Sequence, residues 1–201
     1  MCFTYTDKEK QERVELFREI IMRLEMARFD MYREYADLQS RLYGDPMLAL
    51  QEHPMCEITT HTVGGKEILQ FSYPGMLPLY TDEKDRDSTR YRQRVRDYYI
   101  RSTVQAANRK GLKKQYIPAR VLIVHCFEDL TVRDLDNRNR SHIINGLRHA
   151  QVIGDDNWKE LSLMEEAIKT KESSVEVFVG YSKDIHELMQ LFRGLNTSKT
   201  G

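Results

Sequence analysis

Four carboxylates in the stretch 131–158, TVRDLDNRNRSHIINGLRHAQVIGDDNW, are of a type that holds metal ions. Asp134 and Asp136 stand two apart with Asn137 directly after, and Asp155 and Asp156 follow about twenty residues later. Clustered carboxylates repel one another, so a cluster usually needs a cation to offset the repulsion. A hard divalent ion that takes oxygen ligands, Mg²⁺ or Mn²⁺, is the natural one. Asp and Asn also cap helices and shape turns. Spacing alone leaves both readings open.

The elements that must position these residues can be read around them. Ala119 to Phe127 (ARVLIVHCF) is an apolar run of strand length and reads as a buried strand. Ile143, Ile144, Leu147 and Ala150 recur at i, i+1, i+4 and i+7, with Gly146 between, which is a helical pattern. The order is therefore strand, acidic loop, helix, acidic turn. Such an order could bring both acidic pairs to one end of the helix.

The rest of the chain bounds the setting. It has 201 residues, 40% hydrophobic and 31% charged, enough for one ordinary domain and an appendage. Net charge is zero, so the overall balance says nothing about partners. Cys2, Cys56 and Cys126 are scattered with no CxxC pair, which suggests neither a zinc site nor a disulfide framework and fits a reducing cytoplasm. The N-terminus becomes charged at Asp7 without the apolar core of a signal peptide. No apolar run approaches the roughly 18 residues of a membrane span, and no internal repeat is evident.

Thr6-Asp7-Lys8-Glu9 has the form of a capping box, so a helix is expected from about Asp7 to Tyr43, closed by Gly44-Asp45-Pro46. Val14, Phe17, Ile21, Leu24, Met31, Tyr35, Leu38 and Leu42 form a seam of alternating threes and fours, broken by Arg28. That is a rod of about 50 Å with one apolar stripe. The stripe admits self-association as a coiled coil, docking of a protein partner through 7–43, or packing against this chain's own domain. Residues 45–54, with Pro46 and Pro54, read as a linker. Glu57 to Val63 and Glu67 to Tyr73 alternate around Gly64-Gly65 and read as a hairpin, followed by an irregular proline-bearing segment to Tyr80. Residues 82–110 form a second helix. Glu160 to Ala167 is ambiguous between strand and short helix. Ser174 to Val179 is a strand, Asp184 to Arg193 a short amphipathic helix, and Gly194 to Gly201 a polar, frayed tail.

Charge is distributed unevenly. From Arg86 to Arg120 there are eleven Lys or Arg against two Asp, a balance of +9; from Met1 to Glu57 eight basic residues stand against twelve acidic, a balance of −4. Arg90, Arg94 and Arg101 fall on one side of the second helix, and Arg109, Lys110, Lys113 and Lys114 cluster at its end. A basic face interleaved with tyrosines is a phosphate-backbone footprint. The alternative is a solvated helix whose arginines pair with the acidic N-terminal rod.

Arg133-Asp134-Leu135-Asp136-Asn137, then Ile143-Ile144-Asn145-Gly146-Leu147, then Val152-Ile153-Gly154-Asp155-Asp156-Asn157-Trp158 together resemble the RusA-like family of Holliday junction resolvases of bacteria, phages and mobile elements. The resemblance covers roughly residues 55–180. It implies an α/β (α+β) fold, a mixed sheet with packed helices, here preceded by the long N-terminal helix. The implied organisation is 1–50 as that helix, 55–181 as a nuclease domain, and 182–201 as a C-terminal helix and tail. The implied activity is Mg²⁺- or Mn²⁺-dependent hydrolysis of branched DNA by a nucleoid-associated homodimer. Asp134, Asp136 and Asp156 would be the catalytic, metal-binding carboxylates, with Asp155 supporting them. Two departures stand out. The family's lysine place falls on Arg140 counting from Asp136, or on Ser141 counting back from the Ile-Ile-Asn-Gly-Leu segment. Asn145 stands where the family usually has aspartate.

Overall fold

The computed structural model describes residues 6–43, 56–75, 77, 86–128 and 138–199. Its elements are α1 (Asp7–Tyr43), β1 (Glu57–Val63), β2 (Lys66–Pro74), α2 (Arg86–Lys110), β3 (Ala119–Phe127), α3 (Ser141–His149), β4 (Leu161–Lys169), β5 (Ser174–Tyr181) and α4 (Ile185–Lys199). The strands form one five-stranded mixed sheet in the order β1-β2-β5-β3-β4, so the fold is α+β. All neighbouring pairs are antiparallel except β3 and β4.

The β1–β2 hairpin follows from its turn. Gly64 and Gly65 take φ values of +55° and +74°, the left-handed pair that a tight two-residue turn requires, and Val63 then faces Lys66. Central β3 is apolar apart from Arg120 and His125, because both of its faces are covered. Ala119, Val121 and Ile123 belong to the larger core, with Tyr99 of α2, Ile143 and Leu147 of α3, and Phe71 and Val177 of the neighbouring strands. Leu122, Val124 and Cys126 belong to a second core on the opposite face, with Ile68, Phe178 and Leu188 of α4. Free Cys56 lies in the first core and free Cys126 in the second, both buried. Burial pushes the Cys56 thiol up to about 12.

The stretch 160–167 resolves to a strand. Edge strand β4 has neighbours on one side only, and it carries Glu165 and Glu166 where a central strand would be apolar. Its mixed pattern is that of an edge. The C-terminal helix runs further than the sequence suggests. The segment expected to fray from Gly194 instead continues α4 to Lys199. A lone glycine costs a helix interior only about 1 kcal/mol, and no proline follows to stop it. The expected start of the second helix at 82 and the helix stop at 44–46 lie outside the described residues, as does the linker 45–54.

The capping box forms as expected: Glu9 Oε2 accepts from the Thr6 N–H at 2.7 Å, and Thr6 Oγ1 accepts from the Glu9 N–H at 3.3 Å. Further along α1, Met26 packs against the larger core, and the Arg28 guanidinium fills the space a Cβ at Gly75 would need. Seam residues Val14, Phe17, Leu24 and Met31 are exposed, and no described residue covers that part of the stripe.

Helices α2 and α3 meet at Gly146. A Cβ there would lie 2.6 Å from Thr103 Oγ1 and 3.2 Å from the Tyr99 carbonyl. Thr103 is itself held by Tyr73, whose hydroxyl is 2.8 Å away. Gly146→Val should therefore lower stability by about 1–3 kcal/mol through overpacking, read as a lower urea midpoint at unchanged m value.

Candidate functional site

The parallel pairing of β3 with β4 requires a crossover, and the candidate residues lie along it. The chain leaves β3 at Phe127, passes through 129–137, enters α3 at Ser141, and turns at 150–160 into β4. Asp134, Asp136 and Asn137 lie outside the described residues. Arg138, directly after them, is described: it is buried, and its Nη1 donates to the Leu77 carbonyl at 2.6 Å. The N-cap place of α3 is held by Arg140, with no side-chain cap bond.

Arg140 lies over β4. Its Nη1 donates to Glu165 Oε2 at 2.9 Å, while the other oxygen of Glu165 is 2.9 Å from His125 Nε2 on β3. The sequence reading missed this triad. A histidine inside the run ARVLIVHCF and a glutamate inside a strand were the only signals. The neighbouring Ser141 donates its hydroxyl to Asn139 Oδ1 at 2.5 Å. Both residues at the family's lysine place are thus engaged locally. Asn145, one turn on, is partly buried.

Asp155 and Asp156 sit beyond the C-terminal end of α3. Arg148, in the helix's last turn, reaches both, at 2.8 Å to Asp155 Oδ1 and 3.4 Å to Asp156 Oδ1. The repulsion between adjacent carboxylates is offset here by a guanidinium. Asp155 is the more engaged of the two. Its Oδ1 accepts from the Asp156 N–H at 2.9 Å, its Oδ2 is 3.3 Å from Asn157 Nδ2, and its own N–H donates to Glu160 Oε2 at 2.9 Å. The Asp156 N–H, the Asn157 amide and Arg148 together hold the Asp155 carboxyl below the ordinary range. Both aspartate side chains are about half exposed. Carboxylate oxygens open to water are the donor type a hard divalent cation takes. Among the described residues no group of three or more His, Cys, Asp or Glu is arranged to hold a metal ion.

The basic residues divide. Arg101, Lys110 and Lys113 are exposed. Arg109 donates to the Cys56 carbonyl at 3.2 Å, and Lys114 pairs with Glu67 at 3.1 Å while lying over the Tyr116 ring. Arg90 and Arg94 lie on α2, with side chains outside the described residues. Val95, Tyr98, Tyr99, Ser102 and Ala106, which keep helical spacing along α2, are buried, and Tyr99 stacks on His142.

No family model matches the chain, and no curated protein matches it. Among solved structures, the periplasmic domain of Helicobacter pylori MotB aligns at 14% identity and a TM-score of 0.28, over 72% of this chain and 92% of that one. A likeness of that size carries no argument about function. No described helix is long and apolar enough to cross a membrane.

His125 gives the site a pH signature. Burial lowers its pKa below the ordinary 6.5, and the bond to Glu165 only partly offsets this. As pH falls, the unfolded chain therefore takes up this proton before the folded one does. Stability is complete above the unfolded value and declines as pH drops below it towards the folded value. In urea titrations between about pH 5 and 7, His125→Gln should flatten this acid-side decline.

Proposed function

We propose that this chain is a metal-dependent, structure-selective DNA endonuclease of the RusA type that acts on four-way junctions or other branched DNA. The observation that supports the reading is the joined motif of Asp134-Leu135-Asp136-Asn137 and Asp155-Asp156, carried on one crossover between β3 and β4. Asp134, Asp136 and Asp156 would hold Mg²⁺ or Mn²⁺, with Asp155 fixing the turn that presents Asp156. An ion held there supplies an activated water and neutralises charge on the phosphate. Arg140 adds positive charge beside a scissile phosphate. Its guanidinium stays protonated, so it does not act as a proton donor. Glu165 orients that guanidinium from one side. Arg90, Arg94, Arg101, Arg109, Lys110, Lys113 and Lys114 would track the DNA backbone, and a homodimer would present two sites to opposite strands.

Purified protein on a labelled four-way junction, with linear duplex as control, tests this directly. Paired symmetric nicks should appear on the junction only when Mg²⁺ or Mn²⁺ is present. Asp136→Asn should abolish them while leaving junction binding intact or tighter; undiminished cleavage by that variant would sink the proposal.

The exposed apolar residues of α1 favour a second reading, a non-catalytic relative that works through this helix. Its signature is junction or partner binding without nicks. If α1 joins two copies, Leu24→Glu should halve the mass seen by sedimentation equilibrium, and an unchanged mass would exclude α1 as the dimer contact.

A further inference from the structure

Trp158 is the chain's single tryptophan and, at 84% exposure, the most exposed large hydrophobic side chain among the described residues. Tryptophan normally buries most of its surface, so an indole held in water is informative. The backbone that carries it is fixed. Asn157 Oδ1 accepts from the Lys159 and Glu160 N–H groups at 3.0 and 3.3 Å, and the Asn157 carbonyl accepts from Leu161 at 3.0 Å. The indole rides at the tip of that tight turn.

Its surroundings are polar. Asp155, Asp156 and Asn157 precede it, Lys159 and Glu160 follow, and Lys159 Nζ lies 5.5 Å from the ring centroid. A protein-docking tryptophan is expected at the centre of an apolar patch. A single indole framed by charge suits a planar ring attached to charged linkers. Cations are close at hand. Lys159 follows directly, and the Arg148 guanidinium reaches Asp155 and Asp156, three and two residues before the indole. Stacking aromatics beside a basic track are how unpaired strands are held without sequence preference.

We propose that Trp158 is a stacking platform for one unpaired nucleobase of branched DNA. The inference rests on the nuclease reading and specifies its substrate: a strand that exposes a base within about 7 Å of chain from Asp156. An intact duplex offers no such base, so the platform favours junctions and flaps over linear DNA.

The single tryptophan is its own reporter. The full chain is titrated with an unlabelled four-way junction, a single-strand flap and a blunt duplex while tryptophan emission is followed. Binding of the same DNAs, carrying a dye, is measured in parallel by anisotropy without divalent metal. Emission should quench in step with binding to junction and flap and stay level with duplex. Trp158→Ala should weaken junction and flap binding about tenfold with duplex affinity unchanged, and Trp158→Phe should recover most of the loss. Junction binding by anisotropy with unmoved emission and an unaffected Trp158→Ala variant would overturn the platform and leave the nuclease reading standing. Failure of all three DNAs to bind would overturn both. An emission shift that follows protein concentration alone would assign Trp158 to a contact between copies and also overturn it.

Discussion

Strand β3 is the constraint to which the rest of the described structure answers. Its residues are apolar on both faces, so both must be shielded from water. Helices α2 and α3 shield one face and α4 the other. Burying one such side chain stabilises by about 1.5–3 kcal/mol, and β3 buries several, so few alternative arrangements can compete. Its parallel partner β4 cannot be reached by a hairpin. The chain must leave at one end of the sheet, cross it and re-enter at the other. That obligatory crossing places α3 on the sheet, with Arg140 at its start and the Asp155-Asp156 turn beyond its end.

Along the described part of this crossing, guanidinium groups meet carboxylates, and His125 adds a neutral hydrogen-bond partner. Glu165 lies between Arg140 and His125, and Arg148 spans Asp155 and Asp156. On the hairpin side Lys114 meets Glu67. These pairs are partly exposed and contribute little to stability one by one. Their effect is positional: they fix where the α3 crossing sits over the edge strand and how the acidic turn is presented.

Much of this was legible in the residue order. The Gly64-Gly65 turn, the extent of β3 and the helix around Ile143 and Leu147 follow from local pattern, because each signal is carried by adjacent residues. The α+β class is what the family resemblance implies, and the mixed sheet with its packed helices has it. Legibility failed where a residue's role depends on a distant neighbour. Nothing adjacent to Glu165 marks its partners, yet it lies between Arg140 and His125, which are 25 and 40 residues away. Arg148 neutralises the acidic pair across a helix end and a turn, a closure that no sequence spacing encodes. Strand β4 looked ambiguous because an edge need not be apolar. For the site itself, Asp155 and Asp156 are placed, whereas Asp134 and Asp136 lie outside the described residues, and the metal reading rests on motif rather than on geometry.

The two buried thiols have a practical consequence. Cys56 and Cys126 stand on opposite sides of one sheet, each enclosed by a different set of side chains. With its thiol held near 12, Cys56 offers almost no thiolate at neutral pH. An alkylating reagent reaches either sulfur only when the layer above it lifts. Peptide-resolved labelling rates at the two cysteines therefore time the opening of each side of the molecule separately, and show whether the α2–α3 layer and the α4 layer detach together or one before the other.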